Sequence, residues 1–186
     1  EKVVNAESLH TVLHDIVNAI EAEYTDQICS ILLLEDGKLK MGAAPSLPDF
    51  YNDAIDGVEF GVGRGSCGNT AATNLPTIVE DISTHPFWTD WKDLALRAGV
   101  CSCWSQPIQG ANGDAIGTFA IYHREKAVPT AEEMRLIEQF AHIASIAIER
   151  ELANQLIWKQ ANFDSLTGLP NRNLMFDHLQ LAIKAA

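Results

Sequence analysis

Helical periodicity at both ends of the chain, with none between, is the strongest constraint on its fold. Leu9, Val12, Leu13, Ile16, Val17 and Ile20 recur at helical spacing and predict an amphipathic helix over 6–24. Near the other end, Thr130 and Glu133 form a capping box behind Pro129. The pattern they open runs to about residue 161, far longer than an average helix. Strand-like segments lie between. Residues 29–34 read as a buried strand, 35–38 as a hairpin turn signalled by Asp36-Gly37, and 39–44 as the return strand. Residues 45–68 are irregular and rich in Gly, Pro, Asp and Asn. Short helices are expected at 66–73 and 86–98, and a short strand at 77–80. Two more strands, 100–108 and 115–123, flank a turn at 110–113. Helix, hairpin, mixed loops, hairpin and helix together indicate an α+β sandwich around an antiparallel sheet.

The chain has 186 residues, with 13 Lys+Arg against 25 Asp+Glu, a formal net charge of −12. This length suits one ordinary domain plus an appendage. The acidic balance argues against a nucleic-acid groove, which needs clustered cations, and against docking on an anionic membrane. No run of 18 apolar residues is present to span a bilayer. The chain has no opening Met and no basic-then-apolar leader, so we expect a cytoplasmic fragment of a longer protein. The four cysteines, Cys29, Cys67, Cys101 and Cys103, are too few and scattered for a disulfide scaffold and are expected to be reduced.

Gly63-Arg64-Gly65-Ser66-Cys67-Gly68 matches G-x-G-x-x-G, and Asp81 follows at a suggestive distance. No apolar strand leads into it, and the Asn74-Leu75-Pro76 break comes too soon for a crossover helix, so a dinucleotide fold is rejected. The glycines instead shape a turn into a helix whose first N–H groups face outward. Cys67 falls in that first turn, where the dipole favours a thiolate, although a small buried thiol is the plainer reading. Cys101 and Cys103 share one strand face but supply only two ligands, so no metal site is expected. His85, beside Pro86, is either a haem or metal ligand or an ordinary loop histidine. No catalytic triad or metalloprotease motif stands out, and no catalysis is expected from this segment.

Four runs together carry a resemblance. Gly65-Ser66-Cys67-Gly68 with Ala71-Ala72, Ile78-Val79 with Asp81-Ile82, Ser102-Cys103-Trp104-Ser105 with Pro107-Ile108, and Gly117-Thr118-Phe119-Ala120-Ile121-Tyr122-His123 resemble a GAF domain over roughly residues 6–150. The resemblance implies a sensory module with a ligand pocket on one side of an antiparallel sheet. Helices from both chain ends would cover the other side and pair with a partner chain. Strand alternation then predicts the polarity. Trp104 and Ile108 should pack on the helices, and Cys101, Cys103 and Ser105 should face the pocket beside Thr118, Ala120 and Tyr122. The candidate pocket is completed by Gly65, Ser66, Cys67 and Gly68, whose N–H groups suit a polar end. Trp88 and Trp91 would form an apolar wall, unless they only fill core.

The tail carries a second resemblance. Asp164, Leu166, Thr167, Gly168, Leu169, Asn171 and Arg172 match the D-x-L-T-G-L-x-N-R opening of GGDEF domains, the diguanylate cyclases. The GGDEF signature itself is absent. The expected organisation is a GAF domain over 1–150, a connecting coiled-coil helix over 151–163 and a truncated GGDEF start over 164–186. In the helix, Ile137, Ala141, Ala144, Ile148, Leu152 and Leu156 begin as a heptad and slip, which predicts a face for a second chain. Leu136, Phe140, Ile143 and Ala147 are then left for the sheet. The reading is a bacterial-type sensor that adjusts a C-terminal diguanylate cyclase through a dimeric helix. Its partners would be another copy of itself, its own output domain and an unidentified small molecule. A phosphodiesterase domain further on is also compatible. No cofactor is required by the sequence. The alternative is a thiol enzyme of the free methionine sulfoxide reductase type, whose family Cys67 also resembles. Against it, Pro86-Phe87-Trp88-Thr89-Asp90-Trp91 stands where that family carries a cysteine, and Cys103 stands where it carries an acid. A bilin photoreceptor is disfavoured because no Cys is followed by His.

Overall fold

The computed structural model describes residues 2–164, 167–172, 174 and 175, with side chains from residue 9 onward. Five helices and five strands run in the order α1 (Lys2–Glu23), β1 (Ile28–Glu35), β2 (Lys38–Ala43), α2 (Asp49–Ile55), α3 (Gly65–Thr73), β3 (Thr77–Val79), α4 (Lys92–Arg97), β4 (Ser102–Gln109), β5 (Ala115–His123) and α5 (Ala131–Asn162). A 3-10 turn, Pro86–Trp88, precedes α4. The strands form one antiparallel sheet in the order β2-β1-β5-β4-β3. This is the expected α+β fold. Asp36 and Gly37, both at positive φ, close the β1–β2 hairpin.

Three elements differ from expectation. Helix α1 begins at Lys2, four residues before the expected start at 6. Helix α2 lies inside the stretch read as irregular. The helix expected over 86–98 is split into the 3-10 turn and α4, because Trp91 is the N-cap of α4 rather than part of a continuous helix.

The sheet separates two apolar layers by strand alternation. On one face, Cys29, Ile31, Leu33, Trp104, Ile108, Phe119 and Ile121 pack with Leu13, Val17 and Ile20 of α1 and Ile137, Ala141, Ala144 and Ile148 of α5. On the other face, Leu32, Cys103, Ala120 and Tyr122 pack with Tyr51 of α2, Cys67 and Ala71 of α3, and Trp88. Strands covered on both faces bury consecutive residues, which is why β1 reads as an unbroken apolar run. Trp104 is 1% exposed and donates from Nε1 to the Ala127 carbonyl at 3.2 Å.

The helix layer corrects the expected partner face of α5. Ile137, Ala141, Ala144 and Ile148 are buried against the chain's own sheet. Leu152 and Leu156 are exposed, as are Ile143, Ile146 and Ile157. Of the set assigned to the sheet, Phe140 does pack there, its ring 5.8 Å from that of Phe119, but Ile143 does not.

The chain divides into two compact units, residues 1–148 and 149–186. No helix among the described residues is long and apolar enough to cross a membrane.

Candidate functional site

The site is built around the first turn of α3. Gly63 and Gly65 take positive φ, a conformation disfavoured for residues with a Cβ, and so turn the chain into the helix. At Gly68 the fit is close, since an added Cβ would lie 3.2 Å from Arg64 Cβ, which would have to yield. Arg64 is the N-cap but its side chain does not cap; it reaches the Glu59 carbonyl instead. Ser66, 1% exposed, is the anchor. Its Oγ donates to the Cys103 carbonyl at 3.3 Å and accepts from Trp88 Nε1 at 3.1 Å. Thr70 Oγ1 donates to the Ser105 carbonyl, one turn further on.

Beside these bonds lies a cavity of about 50 Å³. Gly65, Ser66, Cys67 and Gly68 form its rim on α3. Leu32, Leu39 and Tyr122 come from the sheet, Tyr51 and Ile55 from α2, and Trp88 and Trp91 from the turn before α4. Such a volume exceeds the roughly 10–15 Å³ that one water needs and falls well below the ~300 Å³ of a drug-sized site. Trp88, 5% exposed, forms one wall of the cavity.

The floor is chemically unusual. Cys67 is 8% exposed, and its Sγ lies 3.9 Å from Tyr122 Oη. The Cys103 thiol is the neighbour that most favours a Cys67 thiolate, followed by the Ser105, Thr118 and Tyr122 hydroxyls. The Ser105 and Thr118 hydroxyls are buried without a hydrogen-bond partner. Against burial, these donors lower the Cys67 thiol to about 7. Burial, then the neighbouring Cys67, pushes the Cys103 thiol well up. Burial likewise pushes up Tyr51 and Tyr122, which stay neutral phenols. Tyr122 Oη also lies 3.2 Å from Ser30 Oγ, which fixes the ring.

Seven of the twelve residues singled out in the sequence line the cavity: Gly65, Ser66, Cys67, Gly68, Trp88, Trp91 and Tyr122. Cys103, Ser105, Thr118 and Ala120 lie on the pocket side of β4 and β5 but in the layer beneath, buried and not lining it. Cys101 departs from the expected set. It precedes β4, is half-buried, and does not line the cavity. Sequence reading missed the other seven lining residues, Tyr51, Ile55 and Arg64 among them. Tyr51 and Ile55 sit four apart after Pro48, a helical spacing that could have marked α2. His85 proves to be a cap: its Nδ1 accepts from the Phe87 N–H at 3.2 Å. Among the described residues no group of three His, Cys, Asp or Glu side chains could hold a metal ion.

The tail run folds on the end of α5. Asp164 Oδ1 accepts from the Thr167 N–H at 2.9 Å and from Thr167 Oγ1 at 2.8 Å. Gly168, at φ +68°, returns its N–H to the Asp164 carbonyl. Asn171 donates from Nδ2 to the Ala161 carbonyl and from its N–H to that of Asn162. It thereby satisfies carbonyls that a helix end leaves open. Its Oδ1 accepts from the Leu174 N–H, the pattern of an N-cap. Leu166 lies outside the described residues.

Helices on one face of a five-stranded antiparallel sheet, with the α3 cavity on the other, agree with a match of the GAF domain family to residues 6–149. The chain belongs to the GAF domain family. Two relatives and one solved structure show what this GAF domain is similar to. It is 35% identical over 164 residues to the methyl sulfide methyltransferase-associated sensor of Methanosarcina acetivorans, covering 87% of this chain and 16% of that protein. It is 31% identical over 98 residues to the diguanylate cyclase DgcP of Escherichia coli, covering 48% of this chain and 29% of that protein. The chain thus spans under a third of these relatives. Among solved structures, the type II free methionine-R-sulfoxide reductase of Thermoplasma acidophilum superposes with a TM-score of 0.61 at 19% identity, covering 78% of this chain and 96% of that one. Likeness at that identity is one of fold. In this GAF domain the run Pro86–Trp91 supplies a tryptophan wall and no thiol.

Proposed function

We propose that this GAF domain is the input module of a diguanylate cyclase, regulating cyclic di-GMP synthesis through a dimeric α5. The observation that carries the reading is the run Asp164 to Arg172. Thr167, Gly168 and Asn171 each make the contact that their residue type allows in a turn ending α5 and opening the next element. That suits a junction between a signalling helix and an output domain. The partial likeness to a diguanylate cyclase supports the same direction. The cavity supplies a place for a signal. A ligand that binds one arrangement of it better than another shifts the balance between two arrangements of the helices. The exposed stripe Ile143, Ile146, Arg150, Ala153 and Ile157, spaced 3-4-3-4, is the pairing face we assign. The experiment is to purify the protein as its cells make it, add GTP and magnesium, and follow cyclic di-GMP. Synthesis supports the reading. A native product without synthesis, and without a downstream GGDEF sequence by mass spectrometry, overturns it.

A further inference from the structure

The cavity floor presents two thiols of unlike character. Cys67 lines the cavity from the first turn of α3, and Cys103 lies beneath it on β4, fully buried. Tyr122 Oη lies 3.9 Å from the Cys67 sulfur, and Tyr122 is the cross-strand partner of Cys103, so both cysteines stand at one tyrosine. Ser66, the chain neighbour of Cys67, donates to the Cys103 carbonyl at 3.3 Å and so holds the first turn of α3 against β4 at that residue. A hydroxyl beside the sulfur favours its thiolate. Tyr51 and Tyr122, the other titratable groups packed here, are held neutral by burial. Glu59 and Arg64, which also line the cavity, pair with each other at 3.6 Å and are exposed. About 50 Å³ of space reaches the sulfur, room for a molecule little larger than water.

We propose that Cys67 and Cys103 form an oxidisable dithiol, and that the oxidant is hydrogen peroxide entering this cavity. The Cys67 thiolate attacks one peroxide oxygen and the O–O bond breaks. The departing hydroxide takes a proton and leaves as water, and the sulfur, two electrons poorer, becomes a sulfenic acid. Cys103 then attacks that sulfur. The S–O bond breaks, hydroxide leaves with the Cys103 proton as a second water, and a disulfide remains. One peroxide is reduced to two waters while two thiols are oxidised. Neither remaining cysteine can take part from where it stands. Cys29 faces the helix layer, with its thiol pushed up by burial and then by Glu21. Cys101 precedes β4 and is half-buried, two residues away from the position that Ser66 holds against α3. The bond would tie α3 to β4 beside Ser66, the residue that holds Trp88. This chemistry does not depend on which output domain follows.

The test uses the reduced chain, exposed to hydrogen peroxide, alkylated and mapped by mass spectrometry. The expected product has Cys67 cross-linked to Cys103, with Cys29 and Cys101 alkylated. Its rate of formation should rise with pH and reach half its plateau near 7. In Cys103→Ser the sulfenic acid should persist on Cys67 and be trapped by dimedone, while in Cys67→Ser the Cys103 thiol should stay reduced. A cross-link to Cys101, equal oxidation of Cys67 and Cys101, or no two-electron product overturns the proposal. Should either variant fail to fold, the map of the unaltered chain decides alone.

Discussion

Ser66 shows how much one hydroxyl can hold. It ties α3 to β4 through the Cys103 carbonyl and carries the Trp88 indole as well. Trp88 is therefore a fixed wall of the cavity. Truncating it removes a large buried side chain and leaves a void, which costs about 3–5 kcal/mol in comparable cores. We expect Trp88→Ala to lower stability in urea denaturation by about that amount, and added indole to recover part of it by occupying the vacated space. Trp88→Phe keeps most of the apolar contact and loses one hydrogen bond, an effect of about 1 kcal/mol. A loss below about 1 kcal/mol for the alanine variant would mean that the indole contributes little and the cavity is open without it. Neither the depth of Trp88 nor its bond was legible beforehand, since a tryptophan beside Pro86 reads equally as wall or filler.

Helix α5 carries two stripes of similar spacing and opposite surroundings. Ile137, Ala141, Ala144 and Ile148 are buried under the sheet, while Ile143, Ile146 and Ile157 are exposed. Sequence periodicity finds such stripes but does not say what covers each. A heptad seam and a core-facing stripe repeat at nearly the same interval, and this is why Ile148 was assigned to a partner chain. The sheet takes the stripe with the smaller residues, Ala141 and Ala144, which let α5 approach closely. Helix α2 was missed for a different reason. It is one short segment among turn-forming residues, and its helical spacing rests on a single pair, Tyr51 and Ile55. Two substitutions separate the stripes. Ile148→Ala should cost about 2–5 kcal/mol, as buried aliphatic truncations do. Ile146→Asp should leave unfolding within about 0.5 kcal/mol, yet shift sedimentation toward the monomer. If Ile146→Asp sediments like the unaltered chain at every concentration, the pairing face is elsewhere.

Across the whole molecule the sheet joins the two layers through adjacent residues. Cys103 faces the cavity side and Trp104 the terminal helices, and Tyr122 and Ile121 repeat the division on β5. That division was legible, because alternation along a strand is fixed by backbone geometry. The cavity lining was legible only where strands and the glycine turn supply it, since Tyr51 and Arg64 come from segments with no period. At the end of β5, His123 stacks on Trp104 with ring centroids 4.3 Å apart, and its Nδ1 is buried without a partner. Burial lowers its pKa from the ordinary 6.5, against the opposing pull of Glu133 and Asp26. A base depressed in the folded state adds stability that is complete above its unfolded value and lost as pH falls through the folded one. Stability should therefore decline below about pH 6.5. Glu133, held low by its Thr130 hydrogen bonds, adds a further decline below about 4.5. The net charge of −12 acts the other way, since acid relieves self-repulsion. The difference between the unaltered chain and His123→Phe cancels that shared charge effect and retains the ring contact with Trp104. Thermal unfolding followed from pH 8 to 4 should show the unaltered chain losing stability relative to the variant as pH falls below about 6.5. Parallel curves would show that His123 titrates alike in the folded and unfolded chain.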